Sequence, residues 1–73
     1  MTTKENKFIE LAEKRVTKTL TDIRLVGNLA NRNNYVYTQE QANKICSTLE
    51  NEIKNLKNKF KTELAKKSSG FKL

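Results

Sequence analysis

Apolar side chains recur at helical spacing over the first third of the chain. On a helical projection they fall within an arc of roughly 120°, which is typical of a helix that packs on one face. The members of this stripe are Phe8, Ile9, Ala12, Val16, Leu20, Ile23 and Val26. Thr2, with Glu5 three residues later, resembles a capping box, and Gly27 is the residue type that ends helices in the left-handed conformation. The pattern predicts a helix over about 3–26.

A second apolar stripe follows a polar segment and falls within a narrower arc of roughly 100°. Its members are Ala42, Ile45, Cys46, Leu49, Ile53, Leu56, Phe60 and Leu64. Thr38 and Gln41 form a second capping box in front of it. We therefore expect a turn over 27–37, a second helix over about 38–66 and a frayed tail over 68–73.

Two amphipathic helices joined by one turn predict an all-α fold, an antiparallel helical hairpin that forms a single domain over residues 1–67. A chain of 73 residues buries too little surface to be stable alone without a disulfide, a metal or association. One cysteine cannot form an internal disulfide, and the absence of histidine leaves few zinc ligands. We therefore expect homo-oligomerisation, as a dimer or a larger assembly. Leu11 and Leu25 lie off the main stripe and are either exposed residues without consequence or a second subunit contact.

The composition argues against several functional classes. Without histidine the commonest general base is missing, and Gly27 and Gly70 stand alone, so there is no phosphate-binding glycine loop. Cys46 lies on the apolar stripe and is expected to be structural. We expect no enzyme activity, no cofactor and no metal. Since no apolar run approaches membrane-spanning length and the N-terminus lacks the apolar core of a signal peptide, we expect a cytoplasmic protein, in a bacterial host cell if a phage encodes it.

The net charge of +7, from 15 basic and 8 acidic residues, has two different sources. Many lysines lie four positions after a glutamate, the favourable order for helical ion pairs. These pairs are Glu10–Lys14, Glu40–Lys44, Glu50–Lys54 and Glu63–Lys67. The lysine-rich second helix is therefore explained by a solvated face, with a nucleic-acid-binding surface at Lys54, Lys57 and Lys61 as the alternative.

The three arginines lack such neighbours. Arg15 and Arg24 have no acidic residue three or four positions away, and Arg32 stands in the turn with none nearby. Arginine suits bidentate recognition of phosphate or carboxylate. Ion pairs with glutamates on the other helix are an equally good explanation for each arginine.

The turn adds donors, acceptors and aromatic rings to these charges. Asparagine amides both donate and accept, tyrosine rings can stack on a base, and a helix N-terminus attracts anions. The predicted ligand-binding residues are Arg15, Arg24, Asn28, Asn31, Arg32, Asn34, Tyr35, Tyr37 and Thr38. The competing interpretation is a structural corner, in which asparagines form the turn and tyrosines cover its end.

The segment R-L-V-G-N-L-A-N-R-N-N-Y-V-Y-T at 24–38, preceded by L-A-E-K-R-V at 11–16, resembles a short helical protein type of bacterial and phage genomes. The likeness covers residues 8–60 and implies no particular activity. In size and helical make-up the chain also resembles small phage proteins that sequester cyclic nucleotide immune signals. That second resemblance implies an oligomeric sponge with ligand pockets between subunits.

Our leading hypothesis is a non-enzymatic oligomeric binding protein that captures a small phosphate-bearing ligand, a nucleotide or cyclic nucleotide immune signal, as an anti-defence sponge of a phage or mobile element. The first alternative is a small basic nucleic-acid-binding or regulatory protein that uses the second helix. The second is an inhibitor of a host protein, for which no residue provides a discriminating feature.

Overall fold

The structure, a computed structural model, describes residues 3–68 and contains two α-helices in that range, without a strand. Helix α1 spans Lys4–Asn28 and helix α2 spans Gln39–Ser68. The expectation of an all-α fold is confirmed. The chain divides into two units, Met1–Val36 and Tyr37–Leu73, each with one helix. In the described residues neither helix has a stretch apolar enough to cross a bilayer.

Helix α1 begins one residue later than its capping pattern predicts. Thr3, in the extended conformation, is the N-cap, and its Oγ1 accepts a hydrogen bond from the backbone N–H of Asn6 at 3.0 Å. The assignment of the cap to Thr2 is therefore wrong, and Thr2 itself lies outside the described residues. Two adjacent threonines offer the same hydroxyl, so the sequence alone did not distinguish them.

The end of α1 also differs from the expectation. Gly27 lies inside the helix, which continues to Asn28, and no described residue has a positive φ. Leu29 is the C-cap in the right-handed helical region. Its N–H donates to the Val26 carbonyl and that of Ala30 to the Gly27 carbonyl, each at 3.0 Å. These bonds satisfy the Val26 and Gly27 carbonyls with a tightened final turn, so no left-handed glycine is needed.

Helix α2 starts with the predicted capping box. The Thr38 Oγ1 accepts from the Gln41 N–H at 3.1 Å, while the Gln41 Oε1 accepts from the Thr38 N–H at 2.9 Å. The reciprocal pair satisfies two backbone donors at once. At the other end Ser68, predicted to be in the tail, is the last residue of the helix. The rest of the predicted tail, 69–73, lies outside the described residues.

The apolar stripes of both helices are open to solvent. In residues 3–66, whose side chains are described, no side chain is buried. The large stripe residues of α1 range from 37% exposed at Val26 to 57% at Phe8. Leu11 is half-buried, Leu25 is exposed, and the Cys46 thiol is exposed. The expectation that Cys46 would be a buried structural residue is thus not met, because the stripe on which it lies is itself accessible.

The ion pairs of the described residues are not those expected from the glutamate-before-lysine spacing. Lys18 contacts Asp22 at 2.9 Å, and Lys66 contacts Glu63 at 3.5 Å. The expected pairs Glu10–Lys14, Glu40–Lys44 and Glu50–Lys54 do not form within residues 3–66, and the side chain of Lys67 lies outside the described set. An exposed pair on a helix contributes only about 0.2–0.5 kcal/mol, so the absence of these three pairs changes the stability of the helices little.

Candidate functional site

The C-terminal part of α1 places one predicted cation beside one predicted amide. Arg24 and Asn28 are four positions apart on the helix and therefore share a face, one turn from each other. Both side chains are exposed, and Arg24 has no ion pair in the described residues. Arg24 thus lies where it can meet an anion brought by a ligand.

Arg15 does not share that face. It lies nine positions before Arg24 in the same helix, which puts the two about 180° apart around the axis and about 13.5 Å apart along it. The Arg15 carbonyl accepts a hydrogen bond from the Thr19 hydroxyl at 2.8 Å, and its side chain is exposed without a described ion pair. The two arginines of one chain therefore do not converge on one phosphate.

Asn31 organises the segment that follows α1. Its Oδ1 accepts from the Asn33 N–H at 2.9 Å. Its carbonyl oxygen accepts from the N–H groups of Asn34 at 3.1 Å and Tyr35 at 3.0 Å. A longer bond of 3.4 Å joins its own N–H to the Asn28 carbonyl. The Asn31 side chain forms an Asx turn, so the structural-corner interpretation explains this residue in full.

The remaining predicted residues of the first unit lie on the outside of the same turn. Arg32 and Asn34 are exposed turn residues, and Tyr35 is 47% exposed. Val36, which follows, is fully exposed. The turn thus presents a guanidinium, an amide and a phenol ring to solvent within four consecutive positions. These groups are accessible to a ligand.

Tyr37 and Thr38 belong to the second unit. Tyr37 is half-buried and directly precedes the cap. The Thr38 hydroxyl oxygen and backbone N–H are both engaged in the capping box, and the Thr38 carbonyl accepts from the Ala42 N–H at 3.1 Å. Glu40 adds a negative charge in the first turn. The start of α2 is therefore a well-satisfied helix end, and it attracts anions less than an uncapped one.

The three lysines of the alternative hypothesis share a face of α2. Lys54, Lys57 and Lys61 fall within an arc of about 60° on the helix. All three are exposed, and none has an ion pair in the part of the chain that the structure describes. Glu50 lies one turn before Lys54 on the same face. The face is basic but is interrupted by an acid at its N-terminal end.

Two features of the sequence already bear on these assignments. The nine-residue spacing of Arg15 and Arg24 puts them at opposite margins of the α1 stripe, on opposite faces of the helix. The pattern Asn31-x-Asn33 is that of an Asx turn, in which the first side chain accepts from the backbone two residues later. Both features make Arg15 and Asn31 weaker candidates for ligand contacts. The better candidates are Arg24, Arg32 and Asn34.

The chain matches no protein-family model, no curated protein and no solved structure. In the residues that the structure describes, no three cysteine or acidic side chains lie close enough to hold a metal ion. Function is therefore inferred from the arginine, amide and aromatic groups themselves.

Proposed function

We propose that this protein is a non-enzymatic, self-associating binding protein that captures a small phosphate-bearing ligand, a linear or cyclic nucleotide. Encoded by a phage or mobile element, it would act as a sponge that removes a nucleotide immune signal. The observation that supports the proposal best is the exposed Arg24, which has no ion pair in the described residues and shares a helix face with Asn28.

The chemistry of the turn suits the parts of a nucleotide. Arg24 and Arg32 supply planar donors for phosphate oxygens. Asn28 and Asn34 can donate to and accept from base or sugar edges. Tyr35, about half exposed, offers a ring on which a base can stack. In this proposal Asn31 holds the turn and contacts the ligand at most through its NH₂ group.

Self-association gives Arg15 a role that one chain alone does not. Because Arg15 and Arg24 point to opposite sides of α1, a pocket that uses both must take them from different copies. We therefore place the ligand between subunits, with Arg24 from one copy and Arg15 from another. The predicted antiparallel hairpin and its self-association are part of this proposal, and native mass spectrometry reports the oligomeric state together with any nucleotide that co-purifies.

Isothermal titration calorimetry against a panel of linear and cyclic nucleotides tests the binding function. We expect at least one member to bind, and Arg24→Ala to weaken that binding about ten- to hundredfold, the loss of one charged hydrogen-bonding group. Lys14→Ala is the matched control, because it removes one exposed positive charge from the same helix. It should change the affinity by less than about threefold, since it removes only a screened surface charge.

If Arg24→Ala and Lys14→Ala lowered the nucleotide affinity equally, general electrostatic attraction would explain the loss, and Arg24 would have no specific role. No binding of any nucleotide at high micromolar concentration would refute the proposal. Mixing Arg15→Ala and Arg24→Ala proteins tests the shared pocket, because a mixed assembly regains some pockets that contain both arginines. If each variant binds as wild type does, neither arginine is in the site.

A nucleic-acid-binding function is the second candidate, favoured by the three lysines that share a face of α2. It predicts that DNA or RNA affinity falls steeply with salt as counterions are released. Replacing Lys54, Lys57 and Lys61 with alanine should abolish that binding and leave nucleotide capture intact. Gel shifts at low and moderate salt separate the two functions. Inhibition of a host protein remains a third hypothesis, to be considered if neither ligand binds.

A further inference from the structure

The apolar stripe of α2 contains a regular coiled-coil pattern. Six of its residues follow one another at alternating spacings of four and three, as the core positions do in the heptad repeat of paired helices. They are Ala42, Cys46, Leu49, Ile53, Leu56 and Phe60. We call this set the α2 seam. Its central large side chains, Ile53, Leu56 and Phe60, are 46%, 52% and 51% exposed.

Charged residues flank the seam on both sides in the same order. On one flank Glu50 precedes Lys57 by seven positions, and on the other Glu52 precedes Lys59 by seven. All four side chains are exposed, and none has an ion pair within the described part of the chain. Each flank therefore runs from acidic to basic toward the C-terminal end of α2.

We infer that residues 49–60 of the α2 seam bind the same residues of a second copy of this chain, with the two helices antiparallel. Leu49 then lies opposite Phe60 of the second copy, and Ile53 lies opposite its Leu56. A two-fold axis passes between residues 54 and 55, and the same patch serves on both copies, as in an isologous dimer. When one helix is reversed, the acidic end of each flank faces the basic end of the same flank on the second copy.

The four charged residues that flank residues 49–60 fit this orientation. Glu50 meets Lys57 of the second copy and Glu52 meets its Lys59, and symmetry repeats each pair, giving four attractive pairs. In a parallel, in-register dimer a residue just before a core position meets the residue five positions further along on the other copy. Glu52 would then meet Lys57 twice, while Glu50 would face Ile45. Charge complementarity thus favours the antiparallel dimer and identifies a second copy, rather than an unrelated protein, as the partner.

This inference rests on the self-association included in the proposed function. The antiparallel α2 pairing can fail while nucleotide capture holds if the copies associate in another way, whereas a monomeric wild-type chain would also remove the pocket between subunits. The charge swaps below leave Arg15, Arg24 and the asparagine turn unchanged. Nucleotide titration and oligomeric state therefore give separate answers.

Two double substitutions with the same composition and net charge distinguish the orientations. In E50K/K57E every antiparallel pair stays attractive, whereas in E50K/K59E all four become repulsive. The parallel arrangement gives the reverse outcome. By sedimentation equilibrium we expect the dissociation constant of the first variant's dimer to stay within about threefold of wild type, and that of the second to rise at least about tenfold. The second effect is the sum over four pairs, because any one exposed pair contributes little. Far-UV circular dichroism on both variants checks that the helix content is unchanged.

Disulfide trapping provides a test that does not depend on the charges. The antiparallel register places Cys46 opposite position 63 of the second copy and separates the two Cys46 residues by about 25 Å along the axis. We expect E63C to form disulfide-linked dimers under mild oxidation, and wild type and C46S/E63C not to form them. A high yield of cross-linked wild type would overturn the antiparallel orientation. A wild-type chain that is monomeric at high micromolar concentration, or equal behaviour of the two charge swaps, would overturn the inference as a whole.

Discussion

The capping box of α2 leads to a prediction in which the same substitution has opposite effects at two positions of one helix. Thr38→Ala removes the hydroxyl oxygen that accepts from the Gln41 N–H at 3.1 Å. Only the reciprocal bond of 2.9 Å, from the backbone N–H of residue 38 to the Gln41 Oε1, can still form. Losing a threonine N-cap costs about 1 kcal/mol. We expect that loss in the free energy of unfolding, a change of about fivefold in the ratio of folded to unfolded protein.

Thr48→Ala is the matched control. Thr48 lies inside α2, where its hydroxyl donates to the Lys44 carbonyl at 2.7 Å, an oxygen that the helix backbone can already satisfy. Because alanine is the better helix former, this substitution should stabilise the helix by about 0.5 kcal/mol. Thr38→Ser should behave as wild type, since serine retains the capping oxygen.

Urea unfolding followed by circular dichroism at 222 nm measures all three variants. The protein concentration must be the same throughout, because self-association adds to the apparent stability. If Thr38→Ala and Thr48→Ala changed the stability by the same amount and in the same direction, the capping bonds would have no special role, and our explanation of where α2 begins would be refuted.

Four further predictions follow from the described contacts. Gly27→Ala should raise the stability of α1 by about 0.5–1 kcal/mol in thermal melts, because a Cβ there meets nothing within 4 Å and alanine favours the helix. Thr3→Ala should lower it by about 1 kcal/mol in the same melts. Asn31→Asp should retain the acceptor for the Asn33 N–H and so keep the turn, yet weaken nucleotide binding in titrations by adding a negative charge, whereas Asn31→Ala should disturb the turn itself. Lys18→Ala should cost less than about 0.5 kcal/mol, and the loss should disappear when melts are repeated in 1 M salt.

Local hydrogen-bonding patterns explain why much of the secondary structure could be predicted. The Thr38–Gln41 box requires only residues three positions apart, and the structure contains both of its bonds. At α1 the predicted N-cap was one residue too early, because Thr2 and Thr3 are chemically equivalent and only the backbone conformation decides which one caps the helix. Gly27 was misjudged for a different reason. Glycine permits a left-handed helix end but does not require one, and the tightened turn at Leu29 made it unnecessary.

The candidate site could be predicted less well because its groups have two possible uses. An asparagine can hold a turn or meet a ligand, and only the Asn31 to Asn33 bond shows that Asn31 does the first. Arg15 and Arg24 were assigned to one site because both lack acidic neighbours, although their nine-residue spacing places them on opposite faces of α1. The expected glutamate–lysine pairs were not predictable because spacing alone does not fix the conformations of long, exposed side chains, and each such pair contributes little to stability.

The backbone of the described residues has a practical consequence for experiments on the turn. No described residue, glycine or otherwise, adopts a positive φ, so every position from Gly27 to Thr38 can accept an ordinary side chain without conformational strain. Exhaustive substitution across this segment would therefore measure what each side chain does and not what the backbone tolerates. In such a scan, positions whose replacement lowers nucleotide affinity but leaves the helix content unchanged would be the ligand contacts expected from the proposed function.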